Sequence, residues 1–316
     1  MRFIGVDLAW AEGTAAVPPN ETGVAVVDGT GRVLDAGWTR GVAETAAWIQ
    51  RAAADRPALL FVDAPLVVTN PGGQRPCESA VGRCYGRWKV SANTTNLTSR
   101  RLAGVALRRM LEPSGWSYHD GFAGPPTGGR WMSECYPYTT LVGAPELGYH
   151  ADGERPRYKR KPRTLRVAQW RPVRAAACDG LIRRMVALGG ADPPLRLDSH
   201  PVSRLLVEEA SPAGDVPYKH REDLIDALLC AWTAALWYRH GLARCQVLGP
   251  PAGASPGPGP VATIIAPAAA DQVRCGLPGD RLGQLRGMSG MHRPQRVDID
   301  LAHRVDEVIS GTEETS

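Results

Sequence analysis

The sequence predicts an α/β fold: a mixed five-stranded sheet flanked by helices, with a loop-rich insertion and a C-terminal appendage. Three features carry that prediction. Short apolar runs crowd the first 62 residues, a long apolar helix pattern comes late in the chain, and Pro- and Gly-rich sequence separates the regular stretches.

Residues 3–8 form an apolar run bounded by charge, residues 22–27 a second and residues 32–38 a third. Asp28-Gly-Thr-Gly31 between the last two carries hairpin chemistry, so the reading is three antiparallel strands. Residues 42–54 place Ala46, Ile49 and Ala53 at helical spacing and stop before Arg56-Pro57. ALLFV at 58–62 is continuously apolar, as a strand covered on both faces requires. Residues 67–89 mix Pro, Gly and charge and read as a long functional loop. A helix is expected at 97–111, loop sequence at 113–129, a fifth strand at 131–138, and helices at 175–188 and 202–210. The strongest helix, REDLIDALLCAWTAALWY, spans 221–238. After Leu248, PPAGASPGPGP is a linker by composition. Residues 1–248 are therefore assigned to one domain, and 249–316 to an appendage or partly disordered segment too small for a core of its own. That segment holds a strand candidate at 261–266 and a weak amphipathic helix through Leu301, Val305 and Val308.

Hydrophobic content of 43% and charged content of 22% are globular values, which excludes disorder for most of the chain. The seven cysteines are scattered and form no C-x-x-C pair, which argues against a disulfide framework and a zinc ribbon. MRFIGVDLAW lacks a secretory pattern and no uncharged apolar stretch reaches spanning length, so the expected location is the cytoplasm, with no membrane partner. The net charge of +5 is unevenly spread. From Arg155 to Arg174, RPRYKRKPRTLRVAQWRPVR holds nine Lys or Arg and no acid, with Tyr158 and Trp170 interleaved. Such a stretch can neutralise phosphates and stack on bases, which makes Arg157, Lys159, Arg160, Lys161 and Arg163 candidate nucleic-acid contacts. The plainer reading is a solvated basic loop.

The candidate chemistry lies in the acids. FIGVD ends at Asp7 and LLFVD at Asp63, and ligands in α/β sheets collect at strand carboxyl ends. Singly, such an Asp is more often a turn or cap residue. On the late helix, Asp223 and Asp226 are three apart and share a face, with His220 one turn back, where it could position water or a leaving group. Acids in a first helical turn are also favoured by the dipole alone, which suits Asp223 better than Asp226. Hard oxygen donors without His/Cys clusters select Mg²⁺ or Mn²⁺, and two such ions suit phosphodiester hydrolysis.

Three strands with an acid on the first, a helix, a strand ending in an acid, and a late helix with D-x-x-D-A together resemble the RNase H-like superfamily. Asp223-Leu-Ile-Asp226-Ala227 is similar to the Holliday-junction resolvase branch. At closer range, G-V-D-L-A-W (Gly5 to Trp10), V-D-A-P-L (Val62 to Leu66), E-C-Y-P (Glu134 to Pro137) and H-R-E-D-L-I-D-A-L-L-C-A (His220 to Ala231) resemble domain-of-unknown-function family 429, regarded as predicted nucleases. The resemblance covers residues 1–248. It implies Asp7 as a ligand shared by two metals, Asp63 as the second carboxylate, Asp223 and Asp226 as helix-borne ligands, and Glu134 as a further candidate. The second acid is Asp where the resolvases use Glu, which bears on metal spacing. The expectation is a Mg²⁺- or Mn²⁺-dependent nuclease acting on DNA or RNA. The alternatives are a non-catalytic nucleic-acid or protein-binding module and a phosphate-transfer enzyme of the sugar-kinase/actin type, against which stand one copy of the fold and no clear Gly-rich phosphate loop.

Overall fold

Apolar residues on both faces of its central strands force the sheet between two helical layers. The computed structural model of the protein describes residues 1–11, 13, 18–250 and 259–272. The first elements are β1 (Arg2–Asp7), β2 (Glu21–Asp28), β3 (Val33–Arg40), α1 (Gly41–Ala53), β4 (Ala58–Val62), α2 (Pro76–Tyr85) and α3 (Ala103–Leu111). The middle of the chain adds β5 (Trp116–Tyr118), β6 (Arg130–Glu134), α4 (Pro137–Gly143), α5 (Tyr149–Asp152), α6 (Val167–Ala187) and α7 (Pro201–Glu208). Last come α8 (Asp215–His240), β7 (Cys245–Leu248) and β8 (Ile264–Pro267).

The sheet order is β3-β2-β1-β4-β6-β5. β1, β2 and β3 pair antiparallel, whereas β4, β6 and β5 extend the sheet in parallel with β1. Alternation along each strand divides the core: Phe3, Ala25, Leu59 and Phe61 pack with α8, and Ile4, Val6, Val24, Leu60, Val62 and Met132 pack with α1 and α3.

The sheet has six strands, not the expected five. The extra one, β5, is three residues long, too short to show periodicity, and lies at the sheet edge inside the stretch read as a loop. The strand expected at 131–138 stops at Glu134, and Pro137 opens α4, where its missing N–H costs nothing. The loop expected at 67–89 contains α2, which begins with Pro76 and has the Glu78 carboxylate accepting from the Arg75 N–H at 3.0 Å. Helix α6 begins within the basic run rather than beyond it. The strand candidate past the Pro/Gly stretch is β8, which pairs antiparallel with β7 and buries Ile264 and Ile265 in the α8-side core. The amphipathic pattern through Leu301, Val305 and Val308 lies outside the described residues. Cys77, Cys135, Cys178, Cys230 and Cys245 are free thiols, whereas Cys84 is disulfide-bonded, which the cysteine spacing did not predict. No helix among the described residues is long and apolar enough to cross a membrane.

Two glycines decide how closely α8 lies on the sheet. A Cβ at Gly5 of β1 would stand 1.9 Å from the Ala227 carbonyl oxygen, and one at Gly23 of β2 would stand 2.1 Å from that of Asp223. Both obstacles are backbone, so no side-chain rotation relieves them. Gly5→Ala should therefore lift α8 and cost about 1–3 kcal/mol or more in chemical denaturation. A change below about 0.5 kcal/mol, the range of an ordinary surface substitution, would show that α8 is not held this closely.

Candidate metal centre

Parallel pairing of β1 with β4 brings their carboxyl ends together. Val6 lies opposite Val62, and the Asp63 amide donates to the Val6 carbonyl at 2.8 Å, so Asp7 and Asp63 leave the sheet side by side. Both follow the alternation of Phe3-Gly5 and Leu59-Phe61 and so face α8. The contact of α8 with Gly5 then sets Asp226 above them. The structure brings Asp7, Asp63 and Asp226 together: one carboxylate oxygen from each lies within 4.8 Å of the other two, a group that could hold a metal ion. Trp10 orients the second strand end, its indole N–H donating to the Asp63 carbonyl at 3.0 Å.

The electrostatics are those of acids crowded away from water. Burial and the neighbouring Asp7 carboxylate push Asp63 up to about 7, against the pull of Lys159 and Lys219. Asp223 lies beside this group, and burial and Asp7 push it up to about 8, against Lys219, whose Nζ is 2.5 Å from Asp223 Oδ1. Because α8 begins at Asp215, neither Asp223 nor Asp226 is in its first turn, and the dipole does not account for them. Asp226 is fully buried and both its oxygens are engaged: Oδ1 accepts the Tyr158 hydroxyl at 2.7 Å, and Oδ2 is ion-paired with Lys159 Nζ. Burial alone would lower the Lys159 ammonium, but Asp7, Glu222 and Asp63 outweigh it and hold it above the ordinary lysine range.

These shifts carry a pH dependence. Unfolded, Asp63 and Asp223 ionise near pH ~4, so between about pH 4 and 8 the ion-free native state binds extra protons and its stability falls as pH rises. A divalent ion favours the ionised carboxylates, so its stabilisation of the fold should grow through the same window. Thermal melts with and without Mn²⁺ at about pH 6 and about pH 8.5 measure this. A metal-dependent shift that is equal at the two values would count against these acids as ligands.

Glu134 does not join the group. It lies opposite Val62 in the parallel register, so it leaves the sheet on the face away from Asp63, and Cys135 is the residue that continues in line with Asp63. Its carboxylate instead accepts from the Leu66 and Val67 amides at 2.8 and 3.1 Å and from Arg75 Nη1 at 2.8 and 2.9 Å. His220 turns to the start of β2: its Nδ1 is 3.0 Å from Glu21 Oε2, and its ring meets Trp38 edge-on.

The basic run divides. Lys159 turns inward to Asp226 and leaves the exposed part of the run; the adjoining Tyr158 is buried and fixes where it points. Arg157, Arg160 and Lys161 line a pocket of about 200 Å³ with Lys89, Arg155 and Glu154. Arg157 pairs with Glu154, Arg160 donates to Asn93 Oδ1 at 3.1 Å, and Lys161 donates to the Leu165 carbonyl at 2.8 Å. Arg163 is exposed.

A family model described as "Protein of unknown function (DUF429)" matches residues 5–252. The chain belongs to DUF429. No curated protein and no solved structure matches it. The match takes in all three converging aspartates of the DUF429 chain, together with Gly5, Gly23 and Ala227, which seat α8. Sequence reasoning missed three supporting residues in this DUF429 site: Arg75, the anchor of Glu134, and Tyr158 and Lys159 as partners of Asp226. Arg-Pro-Cys-Glu at 75–78 is a helix-start pattern that could have revealed the first. A lysine among nine cations offers no such signal.

Proposed function

We propose that this chain is a metal-dependent nuclease, hydrolysing phosphodiester bonds in DNA or RNA on an RNase H-like arrangement. The observation that carries the reading is the convergence of Asp7, Asp63 and Asp226 at the ends of adjacent strands and on one helix. Three carboxylates, with no thiol or imidazole in the group, suit Mg²⁺ or Mn²⁺. Bound there, a divalent ion would polarise the phosphodiester and lower the pKa of an attacking water. Asp7 acts on both Asp63 and Asp223 and is the natural shared ligand. The strand order supports the likeness as well, with an antiparallel β1-β2-β3 unit extended in parallel by β4.

The nucleic-acid partner is supported by the basic pocket and its position. Asn93, which accepts from Arg160, also lines the cleft that contains Asp63 and Trp10. A strand whose phosphate lay at the acids could reach those cations with its neighbouring phosphates. The test is a cleavage screen in Mg²⁺ or Mn²⁺ over single-stranded, duplex, hybrid and branched DNA and RNA, with Asp7→Asn as control. Cleavage by the wild type alone supports the reading. No cleavage of any substrate, or equal cleavage by the variant, overturns it.

A further inference from the structure

The sequence resemblance implies two divalent ions, but the acids already face a cation supplied by the chain. We infer that Lys159 takes the place of a second ion, so that the centre binds one divalent cation and one ammonium. This rests on the reading of Asp7, Asp63 and Asp226 as a metal centre.

The lysine is built into the site and does not lean in from the surface. Its side chain is 17% exposed, against 58% for Lys219. The preceding residue, Tyr158, is fully buried and held twice: its hydroxyl donates to Asp226 Oδ1 at 2.7 Å, and its carbonyl accepts the Tyr218 hydroxyl at 2.6 Å. With the backbone fixed there, the Lys159 ammonium is delivered to Asp226 Oδ2, 5.7 Å from the centre of the Tyr138 ring and 5.6 Å from that of Tyr158. Asp226 thus presents one oxygen to a neutral hydroxyl and the other to a full positive charge.

Charge balance points the same way. Within the converging group, one divalent ion and one ammonium neutralise the three carboxylates of Asp7, Asp63 and Asp226, while Lys219 is shared between Asp223 and Glu222 outside it. A second divalent ion would have to displace Lys159 from Asp226 or leave excess positive charge in a poorly solvated site, and both are costly. The ammonium is a compact charge with three donors, able to hold a phosphate oxygen as a second ion would.

Titration calorimetry of the full chain with Mn²⁺ tests this without reference to cleavage. The wild type should bind one ion, Lys159→Arg should also bind one, and Lys159→Met should bind two, or one about tenfold more tightly, since the competing charge is gone. Lys159→Gln, which retains a hydrogen bond to Asp226, serves if the methionine variant fails to fold by circular dichroism. Two ions on the wild type overturn the inference, as do unchanged stoichiometry and affinity in the uncharged variant. No ion on the wild type overturns the metal-centre reading with it. A chain that binds one ion and cleaves nothing overturns the nuclease reading alone, and a nuclease that binds two ions overturns this inference alone.

Discussion

Asp7→Asn should abolish metal-dependent cleavage and weaken Mn²⁺ binding beyond the ~10–100-fold typical of losing an outer-sphere partner, because it removes a direct ligand. Asp7 is the hub of the site. It is one of the three converging carboxylates, it helps push both Asp63 and Asp223 upward, and it helps keep the Lys159 and Lys219 ammoniums charged. Neutralising it should therefore also let Asp63 and Asp223 titrate lower, which carboxyl NMR reads directly. The fold itself should survive, since asparagine is isosteric and β1 is held by its ladders to β2 and β4. Retained Mn²⁺ affinity in a folded variant would remove Asp7 from the centre, and unmoved titrations would show that the acids are not coupled through it.

Arg75→Met should destabilise the protein by about 3–5 kcal/mol, the usual result of breaking a buried ion pair from one side. Arg75 bonds Glu78 Oε1 at 2.8 Å, both oxygens of Glu134, and the Val67 carbonyl at 2.9 Å; it is 3% exposed. It thereby ties the end of β6, the segment following Asp63 and the start of α2 into one unit. Burial raises the Glu134 carboxyl against the pull of Arg75, so without the arginine it should rise further. A raised carboxyl costs stability above its unfolded pKa, so the deficit of the variant should shrink as pH falls and Glu134 protonates. Glu134→Gln in the Arg75→Met background should recover part of the loss. Urea denaturation followed by tryptophan fluorescence measures all three, and a loss under about 1 kcal/mol would show that water already reaches the pair.

How far the site could be read in advance depended on where each signal lay. Asp7 and Asp63 were legible because each ends a short apolar run, and strand ends are where α/β sheets gather ligands. Asp226 stood out as an acid inside a strongly apolar helix. Glu134 entered through the resemblance alone, and strand phase keeps it out of the group: one residue of register sends its side chain to the face away from Asp63. His220 follows Asp223 in helical phase, yet it meets Glu21 and Trp38 because α8 runs across β2 as well as β1.

By itself the sequence determined what local patterning can encode: the strands β1 to β4, the helix that covers them, the two strand-end acids and the apolar setting of Asp226. Only the tertiary structure decided which charges meet. Lys159 belongs by composition to a solvated basic run, and repulsion among the acids would be the expectation from their spacing alone. Packing of Tyr158 against Asp226 and Tyr218 turns that lysine inward, so the acids are partly neutralised by a residue 67 positions from Asp226 in the chain. No periodicity carries that information, because a long-range ion pair is set by where buried backbone is fixed and not by the residues on either side of it.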